Sequence, residues 1–167
     1  MRIELQLKPE HFGPRLKTVI NSRLMDEVEG KPMGKHGYVI SVTQVKEEDI
    51  SQGIIEDDGS VSFNISYQAI MFRPFKNEVL DAKVSNVNEH GFFADVGPLS
   101  VFVSKHAMPD DHSFDEQGTS WVSDDREVEV KKESGVRLRV MNTDVLVNKI
   151  HAIGSIKTDY LGLIDTE

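Results

Sequence analysis

Cysteine is absent from the chain, so neither a disulfide nor a thiolate metal site is available to it. No run of about 18 apolar residues occurs, and a membrane-spanning helix is not expected. The opening residues, MRIELQLKPEHF, lack the apolar centre of a signal peptide. A soluble intracellular protein with no membrane partner is expected. Catalytic signatures are missing too: there is no Walker loop, no G-x-S-x-G, no H-E-x-x-H and no cysteine nucleophile. GKHG at 34–37 lacks the long glycine-rich spacing and the Lys-Ser/Thr ending that would cradle a phosphate. No catalytic residue and no cofactor are therefore expected, and the chain is read as not an enzyme. The paired acids in DEVE and EDD read as solvated faces.

Basic residues are the scarcer charge. Against 28 Asp and Glu stand 19 Lys and Arg, a net charge of −9. As a whole, that field repels nucleic acid. The deficit is concentrated, because residues 110–133 hold nine acids and three bases. Residues 79–167 hold 16 acids and 9 bases, so outside that segment the second half of the chain is close to neutral. Six histidines invite a metal reading, with His106, Asp110, Asp111 and His112 close in sequence. A flexible acidic loop offers no converging ligands or supporting hydrogen bonds, and no metal site is expected.

What is present divides the chain in two. A first strand is expected at Ile3–Leu7. Gly13-Pro14 then opens a helix whose Leu16, Val19, Ile20, Leu24 and Val28 form one apolar stripe. Gly30 and Pro32 end it. KPMGKHG at 31–37 reads as a glycine-punctuated loop, followed by a strand at Tyr38–Val45. Residues 61–71 alternate cleanly, with Val61, Phe63, Ile65, Tyr67, Ala69 and Met71 on one face. One half-buried strand covering the helix stripe is expected, which makes an α+β unit. Pro74 breaks the pattern, and a domain boundary is placed near residue 78. Short strands then recur at Val79–Asn88, Phe92–Val96, Leu99–Val103, Val136–Val140 and Val145–Ile153. Five short strands with little helix predict an all-β barrel of OB type over 79–167, interrupted by a long acidic loop at 109–134.

EHGFFADVGPLSVFVSKHAM, residues 89–108, is the most informative stretch. It gathers Phe92, Phe93 and Phe102 with His90, Lys105 and His106 on two strands joined at Gly97-Pro98. Alternation sends Phe92 to one face and Phe93 to the other. Such a cluster is either packing or a platform on which bases stack, at about 1–3 kcal/mol per base. Lys83, Lys105, Arg137, Arg139 and Lys149 are candidates to neutralise phosphates. With so few cations, binding is expected to be weak and salt-sensitive.

VSNVNEHGFFADVGPLSVFVSKHAM resembles an S1 domain, the RNA-binding OB variant. Adding HFGPRLK, VEGKPMGKHGYVISV, FRPFKNEV, SKHAMP and IHAIGSIKTDYLG, the chain is similar in order and spacing to the family of the seventh subunit of eukaryotic RNA polymerase II. The last motif looks like the polymerase II form more than the archaeal or polymerase I and III forms. The resemblance covers essentially the whole chain. It implies a ribonucleoprotein-like tip domain over 1–78 and an S1 barrel over 79–167, forming a stalk with the fourth subunit. It further implies docking beside the clamp of the polymerase core near RNA exit, binding of single-stranded nascent RNA, a role in transcription initiation, and the nucleus as location.

The S1 pattern falls on His90, Phe93 and Phe102, with Lys105 and His106 beside them; two of the three ring positions depart in residue type. The tip loop, expected to enter a pocket of the polymerase core, comprises Glu29, Gly30, Lys31, Gly34 and Lys35. The same loop, read blandly, is a helix stop and a turn. A free-standing S1-type RNA-binding factor in translation or RNA decay is the rival reading, and a barrel serving only as a protein interface is a third. VEGKPMGKHGY separates the first two, since a free factor has no need of it.

Overall fold

The computed structural model describes residues 1–117, 119–146 and 149–164, and of Glu47 the backbone only. The chain forms two compact units, Met1–Phe72 and Arg73–Glu167, the latter including residues outside those described.

In the first unit β1 (Arg2–Leu7) leads to α1 (Leu16–Val28). The stripe anticipated from sequence is what the helix buries: Ile20, Leu24 and Val28 have almost no exposed surface. Each such side chain stabilises the fold by about 1.5–3 kcal/mol relative to an exposed one. The helix stops where Glu29 leaves helical geometry and Gly30 turns left-handed at φ 74°, a conformation that side chains with a Cβ resist. β2 (Tyr38–Gln44) and the short β3 (Ile54–Ile55) follow, then β4 (Val61–Ser66) and β5 (Gln68–Phe72).

The single long strand expected over 61–71 is two strands. β4 lies between β1 and β3, whereas β5 pairs with β2. Tyr67 is the switch point, and its N–H is tied to the Met1 carbonyl at 2.9 Å. The alternation still runs through the break: Val61, Phe63, Ile65 and Tyr67 are buried and join Leu5, Leu7 and the helix stripe in one core. Ser62, expected on the polar face, is buried as well.

The second unit opens with β6 (Val79–Asn88), β7 (Gly91–Val96) and β8 (Leu99–Ser104). β9 (His112–Asp115), β10 (Ser120–Ser123) and β11 (Glu129–Val130) come next. β12 (Gly135–Val145), β13 (Ile150–Ser155) and β14 (Gly162–Leu163) complete it. The order β13-β8-β7-β6-β12, with β12 also pairing β13, closes a five-stranded barrel of OB type. Phe92, Leu99, Val101, Val103, Leu138 and Ile150 are among its fully buried side chains. β12 extends five residues beyond its expected end, and β13 starts five later than expected. Residues 147 and 148 of that expected strand lie outside the described residues.

The span 109–134 is not the long loop expected from its acidic composition. It contains an antiparallel sheet, β11-β10-β9, with its own apolar anchor. Trp121 on β10 faces Phe114 on β9, with ring centroids 5.5 Å apart, and its indole N–H donates to the Asn88 carbonyl at 3.1 Å. Alternation places these rings inward and the carboxylates of Asp115 and Glu129 outward.

No helix among the described residues is long and apolar enough to cross a membrane. No three His, Asp or Glu side chains among them are grouped to hold a metal ion. His112 Nδ1 instead meets Asp111 Oδ1 at 2.8 Å.

Candidate nucleic-acid interface

β7 places Phe92 inside and Phe93 outside. Phe92 has no exposed surface, whereas Phe93 is 37% exposed. Antiparallel register sets Phe93 opposite Phe102 on β8, and their rings lie 4.8 Å apart at an interplanar angle of 43°. Parallel register then sets Phe102 opposite Ile153 on β13, which is 49% exposed. The barrel therefore carries an outward row of three apolar side chains across three adjacent strands. The register of β13 lies outside local sequence pattern, which is why Ile153 was not foreseen. A second row, Asp95, Ser100 and His151, runs beside it, with His151 exposed.

His90 sits in the turn before β7 and is exposed. Its carbonyl accepts the Lys105 N–H at 2.9 Å, so the backbone fixes the two residues together. Gly91 makes this turn possible: a Cβ there would run into the Val103 carbonyl, and φ is 150°. Lys105 and His106, both exposed, occupy the 3-10 turn that follows β8. All five residues singled out by sequence, His90, Phe93, Phe102, Lys105 and His106, thus belong to the β7–β8 hairpin and its two ends.

The cations divide into spent and available. Lys83 pairs with Glu133, and this holds the Glu133 carboxyl below its usual range. Arg137 donates through Nε and Nη2 to Asp81 at 2.7 and 3.0 Å. That bidentate bond lowers the Asp81 pKa and raises that of Arg137. These two candidate phosphate contacts each sit in an exposed ion pair, which a phosphate would have to compete with. Lys105 has no ion-pair partner among the described residues. Arg139 and Lys149 likewise have none among the described residues, and of the three Lys105 follows directly on β8, the strand that carries Phe102.

The acidic sheet begins near the same rim. The Trp121 bond to Asn88 pins β10 two residues before His90. Asp110 takes the Lys157 ammonium at 2.7 Å, removing another cation from the surface.

The loop expected to dock is largely ordered by internal bonds. Glu29 Oε1 accepts the Val42 N–H at 2.8 Å, so its carboxylate serves the fold of this unit. Lys31 Nζ lies 3.1 Å from Glu27 Oε1, one helical turn earlier. The Gly30 N–H donates to the Val39 carbonyl at 2.7 Å, and Met33 packs on the core. Gly34 is left-handed at φ 53° and opens a 3-10 turn that leaves Lys35 and His36 exposed.

Comparison with known proteins covers both units. Residues 73–153 match the S1 RNA binding domain. Residues 4–59 match the SHS2 domain found in the N terminus of Rpb7p/Rpc25p/MJ0397. DNA-directed RNA polymerase II subunit rpb7 of Dictyostelium discoideum is 45% identical, over 96% of this chain and 94% of its own length. Subunit RPB7 of Saccharomyces cerevisiae is 42% identical, over 98% of this chain and 96% of its own. The archaeal subunit Rpo7 of Sulfolobus acidocaldarius is 23% identical, over 96% of this chain and 88% of its own.

Proposed function

The chain belongs to the family of DNA-directed RNA polymerase II subunit RPB7, and from that premise we propose that it holds nascent single-stranded RNA on the outer face of its barrel. Membership makes it a non-catalytic subunit of the polymerase. The observation that carries the RNA reading is the outward Phe93–Phe102 pair, continued by Ile153 and followed at the end of β8 by the exposed Lys105. Exposed aromatic side chains bind bases without regard to sequence, at about 1–3 kcal/mol each. One nearby cation adds a modest, salt-dependent contribution.

The rest of the proposal follows the family. The subunit pairs with the fourth subunit to form the stalk, docks on the polymerase core beside the clamp, supports initiation and works in the nucleus. The tip loop supplies the docking surface, and within it Lys35 and His36 are the side chains left for a partner. Glu29 and Lys31 act by holding the loop's shape. A free-standing RNA factor finds no support, because the relatives match through the first unit as well as the barrel.

A photoreactive phenylalanine analogue at position 93 tests the RNA reading in transcribing polymerase. Nascent RNA should crosslink there, and not to the same analogue at position 114. Equal crosslinking at both positions would refute the platform. For docking, Lys35→Glu with His36→Glu should weaken binding to the polymerase core and leave the fourth-subunit heterodimer intact. Unchanged core binding would put docking elsewhere.

A further inference from the structure

Among the described residues, two edge strands of the second unit line the same pair of cavities. β11 ends the β11-β10-β9 sheet, and β14 ends the barrel sheet beside β12. Two cavities, of about 190 and 370 Å³, are lined by residues from both edges. The smaller is walled mainly by Val128, Val130, Ile156, Leu161 and Leu163, with His112 as its one titratable side chain. The larger is walled by Glu127, Glu129 and Lys131 on one side and by Leu163 and Ile164 on the other. Successive residues of the β11 segment therefore point alternately to an apolar and an acidic cavity, as strand geometry requires. An unpaired strand edge presents main-chain N–H and C=O groups ready for another strand.

We infer that this groove accepts an extended protein segment by strand addition, and that the segment alternates apolar and basic residues. Its main chain would pair with the open edges of β11 and β14 and so join the acidic sheet to the barrel sheet. Its apolar side chains would enter the Val128–Val130 cavity, and its basic side chains would meet Glu127 and Glu129. The charge match follows from the carboxylates present. Glu127 has no ion-pair partner among the described residues, and Glu129 has only an exposed Lys131 at 3.4 Å. Main-chain pairing supplies affinity in such complexes, and alternate side-chain pockets supply specificity. This inference does not rest on the RNA reading, since neither cavity is lined by Phe93, Phe102 or Ile153.

The test uses the full chain and a short fluorescent peptide that alternates valine and arginine, with amide spectra read by NMR. Binding should shift the amides of residues 127–131 and 161–164. A peptide N-methylated at alternate positions, which cannot form a ladder, should bind about tenfold or more weakly. Glu127→Gln with Glu129→Gln, both at exposed positions, should weaken the unmodified peptide about fivefold. Equal binding of the N-methylated peptide would mean attraction by surface charge alone and would overturn strand addition. So would shifts confined to β7 and β8, or groove shifts that arise without peptide as the chain is concentrated, which would indicate a second copy of the chain as occupant.

Discussion

The second unit contains two cross-strand aromatic pairs that look alike in isolation and differ in what surrounds them. Phe93–Phe102 and Phe114–Trp121 both link antiparallel neighbours, at 4.8 and 5.5 Å and with similar tilts. Trp121 is 5% exposed, and its polar edge is spent on the Asn88 carbonyl. Phe93 opens to solvent on a face continued by Ile153, and Lys105, which follows β8, is exposed with no ion-pair partner among the described residues. The first pair can receive a ligand, and the second anchors an otherwise polar sheet. Aromatic content alone does not mark a binding surface. Exposure, a continuing row and an unspent charge do.

The comparison breaks most readily at the anchor. Trp121→Ala should cost about 3–5 kcal/mol of folding free energy, as removal of a buried large aromatic does. Denaturant unfolding would measure it. A loss below about 1 kcal/mol would mean that the acidic sheet needs no anchor. RNA affinity per folded molecule should change little in this variant.

Phe102→Ala should split its effect. Phe102 is half-buried, so stability should fall by less than in the Trp121 variant. RNA binding should weaken by about 1–3 kcal/mol, read by fluorescence anisotropy with single-stranded RNA. Ile153→Ala, which keeps the ring pair but shortens the row, should weaken binding by less. An Ile153 effect equal to the Phe102 effect would shift the centre of the platform toward β13.

A smaller effect concerns the acidic sheet. Glu116 and Asp124 are exposed, with no hydrogen bond or ion pair from their carboxylates among the described residues. Glu116→Gln with Asp124→Asn should tighten RNA binding about two- to threefold at low salt and leave it unchanged at high salt. Identical gains at both salt levels would require a cause other than charge.

The smallest effect is a pH dependence at the barrel rim. Asp81 is held below its usual pKa by the Arg137 guanidinium. A carboxylate depressed in the folded state contributes stability above its unfolded value, near pH 4, and loses it as pH falls further. Melting temperature should therefore fall slightly less below pH 4 in Asp81→Asn than in the parent. The same acid slope in both proteins would show that the pair contributes nothing measurable.

Local periodicity governs the features of the molecule that are legible in its sequence. The α1 stripe, the strands of the barrel and the opposite facing of Phe92 and Phe93 follow from spacings of 3.6 and 2. The 61–71 break escaped because Tyr67 keeps the inward alternation while the hydrogen-bonding partner changes from β1 to β2. The acidic sheet escaped because Asp, Ser and Glu dominate its composition. A weak signal was present all the same: in the sequence FDEQGTSW, Phe114 and Trp121 bracket a short polar stretch. Ile153 escaped because its neighbour Phe102 is 51 residues away in a parallel register. Glu29 escaped for a similar reason, since its bond to the Val42 backbone spans 13 residues.

The central claim is that the outer face of the β7–β8 hairpin is a surface for bases. Phe93→Ala and Phe92→Ala, each made in the full chain, test it most directly when unfolding and single-stranded RNA affinity are measured side by side. Phe92→Ala should cost about 3–5 kcal/mol of stability. Phe93→Ala should cost little stability and about 1–3 kcal/mol of RNA binding. A Phe93 variant that unfolds as readily as the Phe92 variant, or one that binds RNA at full strength, would contradict the claim and leave the barrel as a protein interface.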